Sequence, residues 1–135
     1  MRRVVAAIVA CFAILISGCA ANQTNTTQLD GHWQLTWWNA PVTISDQPNT
    51  LSIAGKYVSG ETPCNNFQAT LTEDQGAIRI ELSTITYVLC VDAEGTEFRY
   101  LDLIKQVRWG HVTGETLTLG AGNAQLLRFK PSAPS

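Results

Sequence analysis

The segment Ala-Ile-Arg-Ile-Glu-Leu at residues 77–82 decides the fold class of this chain. Its apolar residues alternate with Arg79 and Glu81, which is the two-residue period of a half-buried β-strand. The same alternation or strand composition predicts further strands at residues 32–38, 50–54, 56–60, 67–72, 116–119 and 125–129. Glycines mark the connections between strands, so we expect a hairpin loop at residues 120–123 and a bend at Gly110-His111.

One segment has the period of a helix instead. Its apolar residues recur at three- and four-residue steps, at Phe98, Leu101, Ile104 and either Tyr100 or Val107. Asp92 is placed to cap the first turn, near the acidic Glu94 and Glu97. The pattern predicts an α+β fold of about eight short, mostly antiparallel strands in a barrel-like sheet, with one helix near residues 93–106.

The N-terminal residues have the pattern of a lipoprotein export signal. Arg2 and Arg3 precede an apolar run over residues 4–16, which is shorter than the ~20 residues that a membrane-spanning helix needs. The run ends in Leu-Ile-Ser-Gly-Cys at residues 15–19, which resembles the bacterial lipobox. We therefore expect residues 1–18 to be a signal peptide and Cys19 to carry acyl chains such as palmitate. An ordinary signal peptide with a chance cysteine and an uncleaved anchor are the alternatives.

The remainder divides into a tether, one domain and a short tail. Residues 19–29 are polar after the cysteine and predict a flexible tether, residues 30–131 a single domain, and residues 132–135 a disordered tail. Nine Lys and Arg face eleven Asp and Glu, and loss of Arg2 and Arg3 leaves seven against eleven, or −4. This balance argues against nucleic acid as a partner.

Cys64 and Cys90 are the cysteines left in the mature domain. In an oxidising compartment two such thiols usually pair, and closing a loop of about 26 residues stabilises a fold by roughly 3–4 kcal/mol. Free buried thiols and a redox or metal role are the alternatives. Neither a C-x-x-C spacing nor an adjacent His accompanies them.

Five short motifs, in order over residues 29–130, resemble the META domain family of HslJ-type heat-shock lipoproteins. The first two are Leu-Asp-Gly-His-Trp-Gln-Leu at 29–35 and Gly-Glu-Thr-Pro-Cys-Asn-Asn-Phe at 60–67. The third is Thr-Tyr-Val-Leu-Cys at 86–90 followed by Glu97, and the last two fit strands at 117–119 and 126–129. The matching residues are Gly31, Trp33, Gly60, Cys64, Asn65, Phe67, Thr86, Cys90 and Glu97. Pro63 departs from the family, which usually has glycine there.

The resemblance implies a barrel-like α+β fold with one helix and a link to envelope stress. It implies no catalytic residues, cofactor or metal. Asn65 has two interpretations, as a residue of a strand-entry turn or as part of a binding site. Likewise, an exposed member of the set Trp33, Trp37, Trp38 and Trp109 would mark a partner surface or lipid pocket, whereas packing under the helix or a loop is the alternative.

No Ser or Cys nucleophile has a visible His and acid arrangement around it, and His32 and His111 are far apart in sequence. We therefore expect a non-enzymatic, monomeric binding or interaction module, anchored through Cys19 and contributing to envelope stress tolerance. Its partner is an envelope protein or a hydrophobic ligand. Alternatives are a carrier of an acyl chain in a barrel cavity and a periplasmic inhibitor or chaperone. Because Ala20 replaces the aspartate of an inner-membrane retention signal, the expected location is the periplasmic face of the outer membrane, or the cell membrane where no outer membrane exists.

Overall fold

The computed structural model describes residues 26–41, 49–88 and 95–134. A short 3-10 helix, Thr26–Gln28, leads into a sheet whose pairs are all antiparallel. The strands are β1 (Gly31–Trp38), β2 (Thr50–Ala54), β3 (Tyr57–Glu61), β4 (Asn66–Asp74), β5 (Ala77–Ile85), β6 (Trp109–Thr113), β7 (Thr116–Ala121) and β8 (Ala124–Pro131). Between β5 and β6 lies the helix α1 (Thr96–Gln106). The predicted α+β class is confirmed.

The eight strands form one open sheet in the order β5-β4-β3-β2-β1-β8-β7-β6. Among the described residues no ladder joins the edge strands β5 and β6. They meet at one backbone hydrogen bond, in which Ile78 N donates to Arg108 O over 2.9 Å. The expectation of a barrel therefore holds only loosely, because α1 packs against β5 beside this seam and the sheet does not close.

Aromatic side chains fill the space between α1 and the sheet. Tyr100 is fully buried, and its ring lies edge-on to Phe67 and Phe129 with centroids 6.1 and 6.4 Å away. Its hydroxyl donates to Thr50 O over 3.0 Å, which satisfies the one polar group that this side chain brings into the core. Burial raises the pKa of Tyr100 far above its ordinary value.

The helix differs from its prediction at its start and on its buried face. The predicted cap Asp92 and residues 93–94 lie outside the described residues, and the residue that precedes the helix is Gly95, at φ 66° and with no side-chain cap. Phe98 was expected on the buried face but is 73% exposed, whereas Glu97 is buried. Helical spacing alone does not decide this, because Glu97, Tyr100, Leu101 and Ile104 form an equally regular face once a partner for the carboxylate exists.

Two glycines expected in connections lie inside strands. Gly110, placed by the sequence in a bend, is the second residue of β6, and a Cβ there would lie 2.7 Å from a methyl group of Leu119. Gly120, placed in the hairpin loop, is in β7, where a Cβ would lie 2.1 Å from the ring of Trp109. The turn itself contains only residues 122–123. Both glycines make room for a neighbouring side chain, a demand that local sequence does not reveal.

A β-bulge changes the orientation of the tryptophans of β1. The pairing of β1 with β8 shifts register between Leu35 and Trp37. Strict alternation would place Trp37 on the inner face with Trp33 and Leu35, but the extra residue turns Trp38 inward instead. Trp37 is half-buried beneath the guanidinium of Arg128, which lies 4.4 Å from the ring centroid.

Residues on either side of the predicted domain also contact the sheet. Leu29, assigned to the tether, is fully buried and accepts through its carbonyl the Nε1–H of Trp33 over 2.9 Å. Ser132, assigned to the tail, donates its backbone N–H to His32 O. Residues 1–25, including Cys19 and the expected signal peptide, lie outside the described residues. No helix in the described ranges is long and apolar enough to span a membrane.

Candidate functional site

Four polar side chains from three separate segments of the chain meet beside the start of α1. We call them the Asn65 cluster; they are Thr62, Asn65, Thr86 and Glu97. Thr62 and Asn65 belong to the loop between β3 and β4, Thr86 follows β5, and Glu97 is in the first turn of α1. Thr62, Asn65 and Glu97 are all buried. The cluster thus connects the β3–β4 loop, the residue after β5 and the helix α1, which are separate segments of the sequence.

Asn65 is the centre of this cluster. Its amide nitrogen donates to Glu97 Oε1 over 3.0 Å and to Val88 O over 3.3 Å. Its amide oxygen accepts the hydroxyl of Thr86 over 3.0 Å and the backbone N–H of Val88 over 2.7 Å. Both ends of the amide are therefore used inside the protein. This geometry supports the structural interpretation of Asn65 as a residue that orders a turn and its neighbours.

Thr62 completes the loop and holds the other oxygen of Glu97. Its backbone N–H donates to Asn65 O over 2.8 Å, and its hydroxyl accepts the N–H of Asn65 over 2.9 Å. The same hydroxyl lies 2.8 Å from Glu97 Oε2 and 2.9 Å from Asn65 O, and its single proton serves one of them at a time. The carboxylate of Glu97 also lies at the N-terminus of α1, where the helix dipole stabilises a negative charge.

Cys64 lies within the same loop and is disulfide-bonded. Its partner is not among the described residues, and Cys90 lies outside them, so the Cys64–Cys90 pairing stays a prediction. A sulfur atom in a disulfide is not a thiolate nucleophile. What the cluster visibly does is join the loop, the segment after β5 and the helix through short hydrogen bonds.

A groove of about 700 Å³ opens next to the Asn65 cluster, between α1 and the end of β5. We call it the α1–β5 groove. It is lined by Cys64, Asn65, Leu82, Ile85, Tyr87, Val88, Glu97, Phe98, Leu101, Asp102 and Lys105. Most of these side chains are apolar, and the volume lies within the ~300–1,000 Å³ typical of small-ligand sites.

The α1–β5 groove gathers the exposed apolar side chains of the described surface. Four large hydrophobic residues are exposed among the described residues, and three of them, Tyr87 (92%), Val88 (59%) and Phe98 (73%), line this groove. The fourth, Tyr57, is in β3. An exposed apolar group of this kind marks a surface that binds something more often than scattered single residues do.

A positive and a negative side chain lie together at the outer end of the groove, so their charges cancel there. Lys105 and Asp102 form a salt bridge of 2.9 Å along the helix surface. The hydrogen bond and charge of Lys105 hold the pKa of Asp102 below its usual value. Because each partner screens the other and both are exposed, this pair offers little net attraction to a charged ligand.

The remaining motif residues have packing roles elsewhere. Gly31 lies against the indole of Trp33, where a Cβ would be 3.2 Å from the ring. At Gly60 a Cβ would lie 2.4 Å from the ring of Phe67 and 2.3 Å from Thr50 O, so this strand position admits only glycine. The structure therefore places four of the nine motif residues in two packing pairs and three in the Asn65 cluster. The two cysteines are the remainder: Cys64 lies in the loop of the cluster, and Cys90 lies outside the described residues.

The two histidines lie on different strands, away from the groove. His32 Nδ1 is 2.7 Å from Ser52 Oγ across β1 and β2, and both belong to the outer side of the sheet. His111 is in β6 and stacks on Trp109 with centroids 5.4 Å apart. Within the described ranges no three His, Cys, Asp or Glu side chains are grouped so that they could hold a metal ion.

Fold and site together define a class of single-domain α+β proteins, in which one helix lies across an open antiparallel sheet and is tied to it by a buried polar cluster. A model of the META domain matches residues 25–134, and the chain belongs to this family. No curated protein matches it.

Three solved structures have a similar fold. A protein from Burkholderia xenovorans, solved by NMR, is 21% identical, with 87% of this chain and 94% of that one covered and a TM-score of 0.60. Another protein solved by NMR is 22% identical, with 78% and 92% covered and a TM-score of 0.54. The crystal structure of a DUF4847 family protein from Bacteroides vulgatus is 10% identical, with 80% and 96% covered and a TM-score of 0.55. At these identities the likeness concerns the fold alone.

Sequence reasoning missed the groove and part of the cluster. Thr62 was not singled out, although a threonine three residues before Asn65 is able to close a turn with it. Tyr87 and Val88 lie within the third family motif, at residues 86–90, but were not assigned to any site. The available signal was two adjacent large apolar residues after a strand whose alternation had ended, which leaves at least one of them without a core position.

Proposed function

We propose that this protein is a membrane-tethered binding module of the bacterial envelope, that it acts without catalysis, and that the α1–β5 groove is its binding surface. The observation that carries the proposal is the gathering of Tyr87, Val88 and Phe98 around one groove. Exposure of apolar surface to water is costly. A cluster of exposed apolar side chains therefore indicates a surface that a binding partner covers.

The tether is proposed from the sequence. The lipobox-like residues 15–19 support acylation of Cys19, and two or three acyl chains would hold the domain at a membrane. Ala20 supports the periplasmic face of the outer membrane. Membership of the META family supports a contribution to stress tolerance, and the monomeric state is part of the same proposal.

A carrier of a hydrophobic small molecule is the second candidate. The volume and apolar lining of the α1–β5 groove favour it. The interior between sheet and helix is occupied by Tyr100, Phe67 and Phe129, so an acyl chain would lie in the groove rather than in a barrel cavity. Native and denatured masses of the purified protein distinguish the two, because a carrier shows an adduct that denaturation removes.

The binding module is tested by photo-crosslinking in living cells. A photoreactive amino acid at Phe98 samples the groove, and the same group at Tyr57 is the matched control, because Tyr57 is similarly exposed (70%) but lies in β3. We expect defined crosslinked envelope products from position 98 only. Identical products from both positions, or none from either together with a bare native mass, would remove the proposal.

A further inference from the structure

The α1–β5 groove runs along one edge of the sheet. β5 pairs with β4 on one side, and no strand in the described ranges pairs with its other side. The side chains of Leu82 and Ile85, near the end of β5, form one wall of the groove, and Phe98 and Leu101 of α1 belong to the opposite wall. Within the described ranges, the apolar groove therefore lies at the Leu82–Ile85 end of the β5 edge that has no strand partner.

The register of β5 shows which backbone groups face the groove. Ile78 N donates away from β4, to Arg108 O. In an antiparallel strand, alternate residues direct their N–H and C=O groups to the same side, so Ile80 and Leu82 also direct theirs away from β4. Neither makes a hydrogen bond there with any described residue. Among the described residues, the peptide groups of Ile80 and Leu82 on this side of β5 therefore have no strand partner, and Leu82 itself lines the groove.

The apolar walls and the peptide groups of β5 together favour one kind of ligand over another. A hydrocarbon chain would cover the apolar walls but leave the N–H and C=O groups of Ile80 and Leu82 without partners, which is costly once water is displaced. An extended polypeptide satisfies both, because its backbone pairs with the edge while alternate side chains enter the groove. The paired charges of Lys105 and Asp102 leave recognition to these backbone and apolar contacts.

We propose that the free edge of β5 takes up an extended segment of another polypeptide as an added strand, with apolar side chains at alternate positions lying between Leu82 and Phe98. This inference rests on the proposed binding function and names its partner. It agrees with the chaperone alternative, since capture of an extended chain keeps that chain from aggregating. A second copy fits less well, because Arg108 already occupies the edge at Ile78 and shortens the stretch available for a two-fold pairing.

The test measures binding of a defined strand to the full chain carrying Cys19→Ala, exported to an oxidising compartment. The probe is a short fluorescein-labelled peptide in which valine alternates with threonine. Its control is the same peptide N-methylated along its centre, which keeps the side chains but cannot pair along either edge. We expect the methylated peptide to bind at least about tenfold more weakly, because two or more backbone hydrogen bonds are lost.

Variants and amide exchange locate the binding site. We expect Phe98→Ser to weaken binding of the unmethylated peptide by roughly fivefold and Tyr57→Ser to leave it unchanged. Bound peptide should slow hydrogen exchange at the Ile80 and Leu82 amides by about tenfold or more. Phe98 and Tyr57 are both exposed, so neither change is expected to disturb folding.

Palmitate, offered separately, distinguishes the failure of this inference from that of the proposed function. Equal affinities for the two peptides, or no binding of either, would overturn strand capture. If palmitate then binds and Phe98→Ser weakens its binding, the second candidate, a carrier of a hydrophobic molecule, replaces the interaction module, and the α1–β5 groove remains the binding surface. Absence of peptide and palmitate binding overturns strand capture alone, because the binding module is decided separately by the crosslinks from position 98. A concentration-dependent dimer that excludes the peptide would identify a second copy as the occupant and overturn the inference.

Discussion

Replacing Asn65 by aspartate should convert a buried hydrogen bond between the β3–β4 loop and α1 into a repulsion. Asn65 and Asp are nearly the same size, so packing is preserved, but the amide donor 3.0 Å from Glu97 Oε1 becomes a second carboxylate. Two like charges about 4 Å apart at an effective dielectric of ~20 repel by roughly 4 kcal/mol, and the amide's hydrogen bonds to Glu97 and to Val88 O, worth about 1 kcal/mol each, are lost. Allowing for relaxation of the loop, we expect Asn65→Asp to cost about 3–5 kcal/mol at pH 7.

The loss of stability caused by Asn65→Asp should depend on pH, because the introduced carboxyl group faces the carboxylate of Glu97. The introduced carboxyl group facing Glu97 holds a proton more tightly in the folded than in the unfolded chain. The penalty is therefore largest at neutral pH and shrinks as pH falls towards ~4, where unfolded carboxyl groups also become protonated. The difference between native and Asn65→Asp stability should fall by half or more between pH 7 and pH 4.

Urea unfolding followed by tryptophan fluorescence measures this difference, because Trp33 and Trp38 are buried. Asn66→Asp is the matched control: it makes the same chemical change one residue along the chain, at an exposed side chain, and should alter stability by less than about 0.5 kcal/mol. Equal effects of the two substitutions, or a pH-independent effect at Asn65, would refute the assignment of the Asn65–Glu97 contact as a central stabilising interaction.

Three further outcomes are expected. In the native protein the free energy of unfolding should fall above pH ~10 by up to ~1.4 kcal/mol per pH unit, because the phenol of Tyr100 ionises in the unfolded chain but not when it is buried. Tyr100→Phe should remove this loss, as measured by urea titrations at several pH values. Gly60→Ala should destabilise the domain by about 3 kcal/mol or more, against little change for the exposed Ser59→Ala of the same strand, as read from thermal unfolding. Cys19→Ala should abolish incorporation of an alkyne-labelled palmitate into the protein; retention of label would exclude Cys19 as the acylation site.

Most strands were predictable because their signal is local. The alternation in β5 depends only on which side chains of six or seven consecutive residues are apolar, and the observed burial of Ile78 and Ile80 follows it. β6 was missed for the opposite reason. Gly110 interrupts its alternation, and it is tolerated only because Leu119 fills the space that a Cβ would take.

The candidate site was only partly predictable. The family motifs pointed to Asn65, Thr86 and Glu97, but not to the fact that they form one hydrogen-bonded cluster. Glu97 and Asn65 are 32 residues apart, and the buried orientation of the carboxylate exists only because an amide and a hydroxyl meet it. The same long-range partner turned Phe98 outward and so created the apolar wall of the α1–β5 groove.

The amino-acid sequence alone determined the class of fold, the presence of one helix and the family, because hydrophobic period and short motifs are properties of consecutive residues. It also carries the pattern of an export and acylation signal. The tertiary structure decided which face of α1 is buried, which glycines lie within strands, where the sheet stays open, and that an apolar groove lies at the Leu82–Ile85 end of β5. Those features depend on side chains from distant segments competing for the same space and the same hydrogen-bonding groups, and that competition is settled only when the segments pack together.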